Sequence, residues 1–283
     1  MPRLVGEIEE LARFSDTPYP SVTRVLFTDT DMRARMWLMD RMRAAGLAVR
    51  VDAVGNIFAR WEGEDPGAAP VATGSHCDAI PDAGRFDGVI GVLGGLEAIR
   101  SLRAAGLRPR RPIELIMFTA EEPTRFAFGC LGSRVLARVV DDARLARLRD
   151  ADGGTLDDAR AAAGISGEVS GARLDAGHYA AFVELHIEQG PELERTGVPI
   201  GVVTAIAAPA TLCVEMTGEG GHAGAVLMGI RHDPLVAASE VVQAVDRLAR
   251  GTGAEDTVAT VGDRKSTRLN SSHIQKSRMP SSA

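Results

Sequence analysis

His76, Asp87, Glu122 and His186 are of the residue types that hold divalent metal ions, and each sits where an apolar run gives way to a polar turn. His76 lies in VATGSHCDA, Asp87 precedes the glycine-rich GVIGVLGG, Glu121 and Glu122 follow PIELIMFTA, and His186 closes AAFVELH. Open α/β sheets place their sites at such strand ends. Divalent ions held by imidazole and carboxylate groups acidify water and polarise a carbonyl, leaving a nearby carboxylate to carry the proton. Neighbouring side chains of an extended chain diverge, so one of Glu121 and Glu122 can ligate while the other reaches the water. Hydrolysis is the chemistry this constellation predicts.

Each member also has a plainer reading. His76 and Asp78, two apart at a strand end, would project to one face either as an exposed pair or as a ligand with the carboxylate that orients it. Asp87 could cap the helix that follows, bind metal, or do both. The paired glutamates could be a solvated strand mouth, and His186 a structural histidine. Their coincidence at successive strand ends favours a shared site. GVIGVLGG lacks the GxGxxG spacing of a dinucleotide fingerprint, and close packing of a helix on a sheet explains its glycines better. Cys77, Cys130 and Cys213 have no CxxC spacing, so neither a disulfide framework nor a cysteine zinc site is expected. Cys77 should point away from whatever His76 binds.

The elements that must position these groups follow from periodicity. Residues 29 to 46 predict an amphipathic helix with Met32, Met36, Leu38, Met39 and Met42, ending at Gly46. AVRVDAVGNIFARW predicts a hairpin turning at Gly55-Asn56. APVATGSH and PIELIMFT read as strands joined by a helix from about Gly88 to Ala105, a parallel crossover unit. A helical region near 132 to 149 and the strand AAFVELH complete an α/β domain. Beyond it, IGVVTAIAAPATLCVEMTG predicts two strands, HDPLVAASEVVQAVDRLARG a helix and TVATVG a last strand, with a boundary near 207 to 210.

The 283 residues carry a net charge of −6 and 45% hydrophobic residues, which suits a globular protein and argues against nucleic acid or an anionic membrane as partner. No run is long and apolar enough to span a bilayer, and the N-terminus lacks the apolar core of a secretory signal, so a cytoplasmic location is expected. From Asp263 onward DRKSTRLNSSHIQKSRMPSSA loses all periodicity and resembles a translated sequencing adapter. Residues 263–283 are expected to be an artefactual tail, which removes His273 from the candidate ligands. The tail holds five basic residues and one acidic, so residues 1–262 carry −10.

GSHCDAIPDAGRFDG, FTAEEPTRF, GCLGSR, ELHIEQGPELE and GGHAGAVL together resemble the hydantoinase/carbamoylase branch of the di-metal aminoacylase and exopeptidase clan. Within it, EEPTRF, GVVTAIAAPA and GGHAGAVLM are most similar to ureidoglycolate amidohydrolases of plant type. The resemblance implies a zinc-exopeptidase-like α/β catalytic domain with a mixed central sheet over 1–207 and part of a smaller α/β lid and dimerisation domain over 208–262. It implies two divalent ions, manganese or zinc, with His76, Asp87 and His186 at one and Asp87 and Glu122 at the other. Glu121 matches the general base and Asp78 the acid that orients a ligand histidine. Gln189 matches a substrate-pocket position, and His222 a lid histidine that polarises the scissile carbonyl and reaches a partner subunit. Arg231 and Asp233 match residues near the substrate or structural ones.

The function so implied is cleavage of a linear C–N bond in a ureido or N-carbamoyl acid, releasing ammonia, by a homodimer. N-carbamoyl-L-amino-acid hydrolysis, allantoate amidohydrolysis, and aminoacylase or dipeptidase activity are the alternatives within the fold. A noncatalytic binding or dimerisation module and a cysteine hydrolase are the alternatives outside it. The family's last metal histidine and its substrate-carboxylate residues have no counterpart in 1–262, so this polypeptide is expected to bind the second ion poorly and to turn over little.

Overall fold

The computed structural model describes residues 2–206, 210–254 and 256–262, and the backbone of 265–266 and 276–280. The chain divides into two compact units, Met1–Val198 and Pro199–Ala283. The first contains α1 (Pro2–Ala12), β1 (Val22–Arg24), α2 (Asp29–Ala44), β2 (Ala48–Val51), β3 (Ile57–Trp61), β4 (Val71–His76), β5 (Ala79–Ala83), α3 (Val89–Ala104) and β6 (Ile113–Phe118). It continues with α4 (Leu131–Leu136), α5 (Asp142–Leu145), α6 (Leu156–Ala162), β7 (Ala181–Val183) and α7 (Glu192–Thr196). The second holds β8 (Cys213–Thr217), α8 (Pro234–Gly251), β9 (Lys265–Ser266) and β10 (Lys276–Pro280).

Five strands form a mixed sheet in the order β2-β3-β6-β4-β7. β3 runs antiparallel to β2 and β6, whereas β4 runs parallel to β6 and β7. Alternating residues feed two cores. Phe58 and Ile116 join Leu131, Val135 and Leu156 on one face, while Ile57, Ala59, Leu115 and Met117 join Leu38, Met42, Leu93 and Leu96 on the other. The sheet is therefore sandwiched between helices, and each fully buried leucine contributes about 1.5–3 kcal/mol through desolvation.

α2 forms where expected, with Leu38 and Met42 fully buried, but Met36, counted among its apolar residues, faces solvent. Thr28 caps its first turn. The glycines of α3 pack as their spacing suggests. A Cβ at Gly91 would lie 2.5 Å from the Leu185 carbonyl oxygen and 2.6 Å from Ser75 Cβ, and one at Gly95 2.9 Å from Leu115 Cδ1. These two positions, one helical turn apart, let α3 lie directly on the sheet.

Several expectations are corrected. The hairpin forms around Gly55-Asn56 as expected, its turn extending over residues 52 to 56 because one Asp52 carboxylate oxygen accepts from the N–H groups of Val54, Gly55 and Asn56. The helical region near 132 to 149 is the two short helices α4 and α5. AAFVELH is extended only as far as Val183, so His186 lies beyond the ladder. IGVVTAIAAPATLCVEMTG yields one described strand, β8, and TVATVG none. The expected boundary near 207 to 210 includes residues 207–209, and His273 falls in the tail; both lie outside the described residues.

The second unit pairs β8 antiparallel with β10. Asp233 accepts from the Leu235 N–H and caps α8, whose first residue is Pro234. Among the described residues, no helix is long and apolar enough to cross a membrane.

Behind the strand ends that carry His76 and the glutamates, Asp31 and Arg35 form a fully buried ion pair at 2.7 Å. Arg35 also donates to the Gly55 carbonyl oxygen. Burial pushes the Asp31 carboxyl up, and Arg35 opposes that shift. Asp31→Ala would leave the guanidinium buried without its counter-charge, and a loss of about 3–5 kcal/mol is expected in denaturant unfolding; a loss below about 1 kcal/mol would contradict the pair's role.

Candidate metal centre

His76 is the last residue of β4, and the parallel register places it opposite Phe118, the last residue of β6. Thr73 pairs with Val183 in the β4–β7 ladder. Three further residues along each chain bring His76 and His186 together, with ring centroids 6.4 Å apart. Asp87 enters from the turn before α3. A nitrogen or oxygen from each of His76, Asp87 and His186 lies within 4.8 Å of the others.

The tautomers follow from the hydrogen bonds. His76 Nδ1 lies 2.9 Å from the Asp78 carbonyl oxygen, and His186 Nδ1 lies 2.9 Å from that of Ile187. A carbonyl oxygen only accepts, so each Nδ1 carries a hydrogen and Nε2 is the nitrogen that faces the cluster, able to ligate once a cation displaces any proton it holds. His186 Nε2 sits 3.3 Å from Asp87 Oδ1, an oxygen that is buried without a hydrogen-bond partner. Two acceptors facing each other at that distance repel unless a cation or proton lies between them. The donor set of imidazole nitrogen and carboxylate oxygen thus fits a divalent metal, and does not by itself select manganese over zinc.

Asp78 lies in the loop just past β4, not on the strand, yet is wholly buried beneath His76. Its Oδ1 is 3.6 Å from His76 Nδ1. The same carboxylate accepts from the N–H of Glu121 at 3.3 Å and of Glu122 at 2.9 Å. One side chain therefore aligns the ends of β4 and β6. Gly88 complements it from the other side of the ring. With φ +62°, it leaves room where a Cβ would overlap the His76 imidazole. Asp87 makes no side-chain cap on α3, whose N-cap is Gly88. Its Oδ2 instead accepts from Gln189 Nε2 at 2.9 Å.

Glu121 and Glu122 differ in their surroundings. Glu121 Oε2 reaches to 3.7 Å from His76 Nε2, and the side chain remains partly open to solvent. Glu122 is half-buried, and burial with the nearby Glu121 charge pushes its carboxyl up to about 7. Burial works against a charged His76, but the hydrogen bond and charge of Asp78, with Glu121, outweigh it and raise the imidazole to about 9. Both shifts register the negative field of the clustered carboxylates, which favours any cation.

His222 and Arg231 belong to the second unit. Arg231 Nη2 donates to the carbonyl oxygens of His222, Ala223 and Val226 at 2.9–3.1 Å and so holds the loop that carries His222. Its neighbour Asp233 is the helix cap already described. Cys77 is buried on the opposite side from the cluster, with Sγ 3.2 Å from Met117 Sδ, and burial raises its thiol to about 12. A thiolate nucleophile is disfavoured there.

Sequence reasoning missed three supports. Arg24, fully buried, donates to the carbonyl oxygens of Leu11, Phe14 and Cys77 and thereby braces the chain beside His76. Asn56 Oδ1 accepts from the Thr119 N–H at the mouth of β6. Cys130 approaches Glu121. None of these has a local signature, because each depends on a partner that the fold, not the adjacent sequence, supplies. Gly88 was legible as a glycine after an acid, but its contact with His76 was not.

The chain belongs to Peptidase family M20/M25/M40, which it matches over residues 72–272. It is 54% identical over 263 residues to a ureidoglycolate hydrolase of Oryza sativa subsp. japonica, covering 92% of this chain and 54% of the relative. It is 44% identical over 261 residues to an N-carbamoyl-L-amino-acid amidohydrolase of Paenarthrobacter aurescens, covering 92% of this chain and 63% of the relative. The crystal structure of AtUAH in complex with (S)-hydroxyglycine is similar with a TM-score of 0.88 and 49% identity, over 99% of this chain and 68% of that one. The chain thus spans about half the length of the rice ureidoglycolate hydrolase.

The raised His76 and Glu122 values set a pH dependence for the metal-free protein. Both groups bind protons more tightly folded than unfolded, so their contribution is present at low pH and lost on titration. Between pH 4.5 and about 7 the Glu122 contribution falls, and between pH 6.5 and about 9 that of His76. Unfolding free energy measured with chelator should decline across this span, and a divalent cation should restore it. A flat profile under chelation would contradict the clustered negative field.

Proposed function

We propose that the protein is a metal-dependent amidohydrolase that cleaves a linear C–N bond of a ureido or N-carbamoyl acid of the ureidoglycolate type. The observation that carries this reading is the opposition of His186 Nε2 and Asp87 Oδ1 at 3.3 Å, with His76 in the same cluster and Glu121 at its edge. His76, Asp87 and His186 would hold one ion, and Asp87 and Glu122 would contribute to a second, more weakly held one. Bound there, the two ions would acidify a water and polarise the scissile carbonyl.

The chain's own groups supply the rest. Glu121, partly exposed and 3.7 Å from His76, takes a proton from the attacking water and returns it to the departing nitrogen. Asp78 holds the Glu121 backbone and the His76 ring so that proton carrier and ligand keep their spacing. Gln189 can release Asp87 to meet a polar substrate group, and His222, its loop fixed by Arg231, supplies a donor to the carbonyl oxygen in the partner subunit of a homodimer. The second unit serves as lid and dimerisation domain of a homodimer.

Hydrolysis of the terminal carbamoyl group adds water across the C–N bond, releases ammonia and leaves a carbamate that loses carbon dioxide. From ureidoglycolate the remaining fragment is hydroxyglycine, which becomes glyoxylate on losing its own ammonia. AtUAH has been crystallised with both glyoxylate and (S)-hydroxyglycine, which supports that substrate over other ureido acids. N-carbamoyl amino acids are the second reading, favoured by the 44% identity to an amidohydrolase of that class.

A panel of ureidoglycolate, allantoate and N-carbamoyl amino acids, assayed for ammonia release with manganese or zinc, should show ureidoglycolate turned over fastest, at the low absolute rate expected where the second ion is weakly held. Ammonia release that persists after complete metal removal would exclude the mechanism. Glu121→Gln should lower kcat by about 10²–10⁴-fold while bound metal, read by elemental analysis, stays the same.

A further inference from the structure

Glu121 is held from two sides. Its Oε2 faces the metal cluster through His76, as described, whereas its Oε1 lies 3.4 Å from Cys130 Sγ. The backbone strengthens this approach. The Cys130 N–H donates to the Glu121 carbonyl oxygen at 2.7 Å, the Leu131 N–H to that of Ala120 at 2.9 Å, and the Gly132 N–H to that of Thr119 at 2.8 Å. Residues 119–121 are therefore strapped to 130–132 rung by rung.

Two residues in this strap adopt left-handed backbone, Ala120 with φ +49° and Cys130 with φ +55°. Neither is glycine, so each costs about 1 kcal/mol or more that the surrounding contacts must over-determine. At Cys130 the left-handed conformation accompanies a contact between its side chain and the Glu121 carboxylate. The partner there can only be a donor, because an ionised carboxylate only accepts.

We propose that Cys130 is a positioning residue: its S–H donates to Glu121 Oε1 and turns Oε2, the proton-carrying oxygen, toward the cluster. The inference rests on the reading of Glu121 as general base. A thiol suits this role because it gives one weak donor that fixes orientation without neutralising the base. Burial and the Glu121 charge raise the Cys130 thiol to about 11, so the hydrogen stays in place at neutral pH.

The contact is testable without turnover. In a Cys213→Ser background, which removes the exposed thiol of β8, iodoacetamide labelling near about pH 8 followed by mass spectrometry reads Cys130, since Cys77 is buried. Glu121→Gln removes the facing charge, and labelling of Cys130 should accelerate about tenfold, as expected for a fall of one unit in thiol pKa. An unchanged rate would show that the thiol does not face the carboxylate and would overturn the proposal.

The kinetic arm compares Cys130→Ala with Cys130→Ser. Loss of the donor should lower kcat about fivefold with KM unchanged, and serine, which keeps a donor, should recover most of it. Equal loss in both variants with equal drops in melting temperature would mean a packing role only and would also overturn it. A protein that hydrolyses none of the ureido or carbamoyl substrates, yet shows the labelling response, would sink the assigned function and the positioning role with it. The Cys130–Glu121 contact alone would then stand.

Discussion

Asp78 ties the end of β4 to the end of β6 with a single buried carboxylate. Its two oxygens accept the N–H groups of Glu121 and Glu122, while its carbonyl oxygen takes the Nδ1 hydrogen of His76. Parallel strands reach the same edge of a sheet, but their ladder ends at His76 and Phe118, and the residues beyond need another source of order. A buried carboxylate without such donors would cost several kcal/mol, so the interaction is binding on both sides. The carboxylate needs the two backbone hydrogens, and the glutamates need the carboxylate to stay in place.

Positive and negative charge are separated along this edge. Carboxylates from Asp78, Asp87, Glu121 and Glu122 crowd one side, whereas two buried cations, Arg24 and Arg35, lie behind the strands and donate to carbonyl oxygens and Asp31. The rear cations organise backbone without cancelling the field at the mouth. Four acids thus meet two imidazoles with their field intact, which favours a proton or a metal cation there. The arrangement also makes the histidine tautomers a property of the backbone, since both Nδ1 hydrogens end on main-chain oxygens.

How much was legible depended on the range of the interaction. The crossover from β4 through α3 to β6 was readable from period and spacing, as were the strand-end positions of His76 and of the glutamate pair. His186 was placed on a strand it overshoots: β7 stops at Val183, and its exposed residues have no period that marks the end. The hairpin around Gly55-Asn56 was readable, but not the length of its turn, which Asp52 sets by gathering three N–H groups with one carboxylate oxygen. Arg24, Asn56 and Cys130 were silent for a different reason. Each acts on a partner that only the folded chain brings near, and residue type alone does not announce that partner.

Gly88 has a consequence for inheritance as well as for geometry. Every single-base change of a glycine codon that yields another amino acid adds a Cβ, and here that carbon would strike the His76 ring. The position has no neighbouring codon through which a lineage could drift while keeping the imidazole in place. A nonsynonymous change there and loss of the histidine's alignment are the same genetic event.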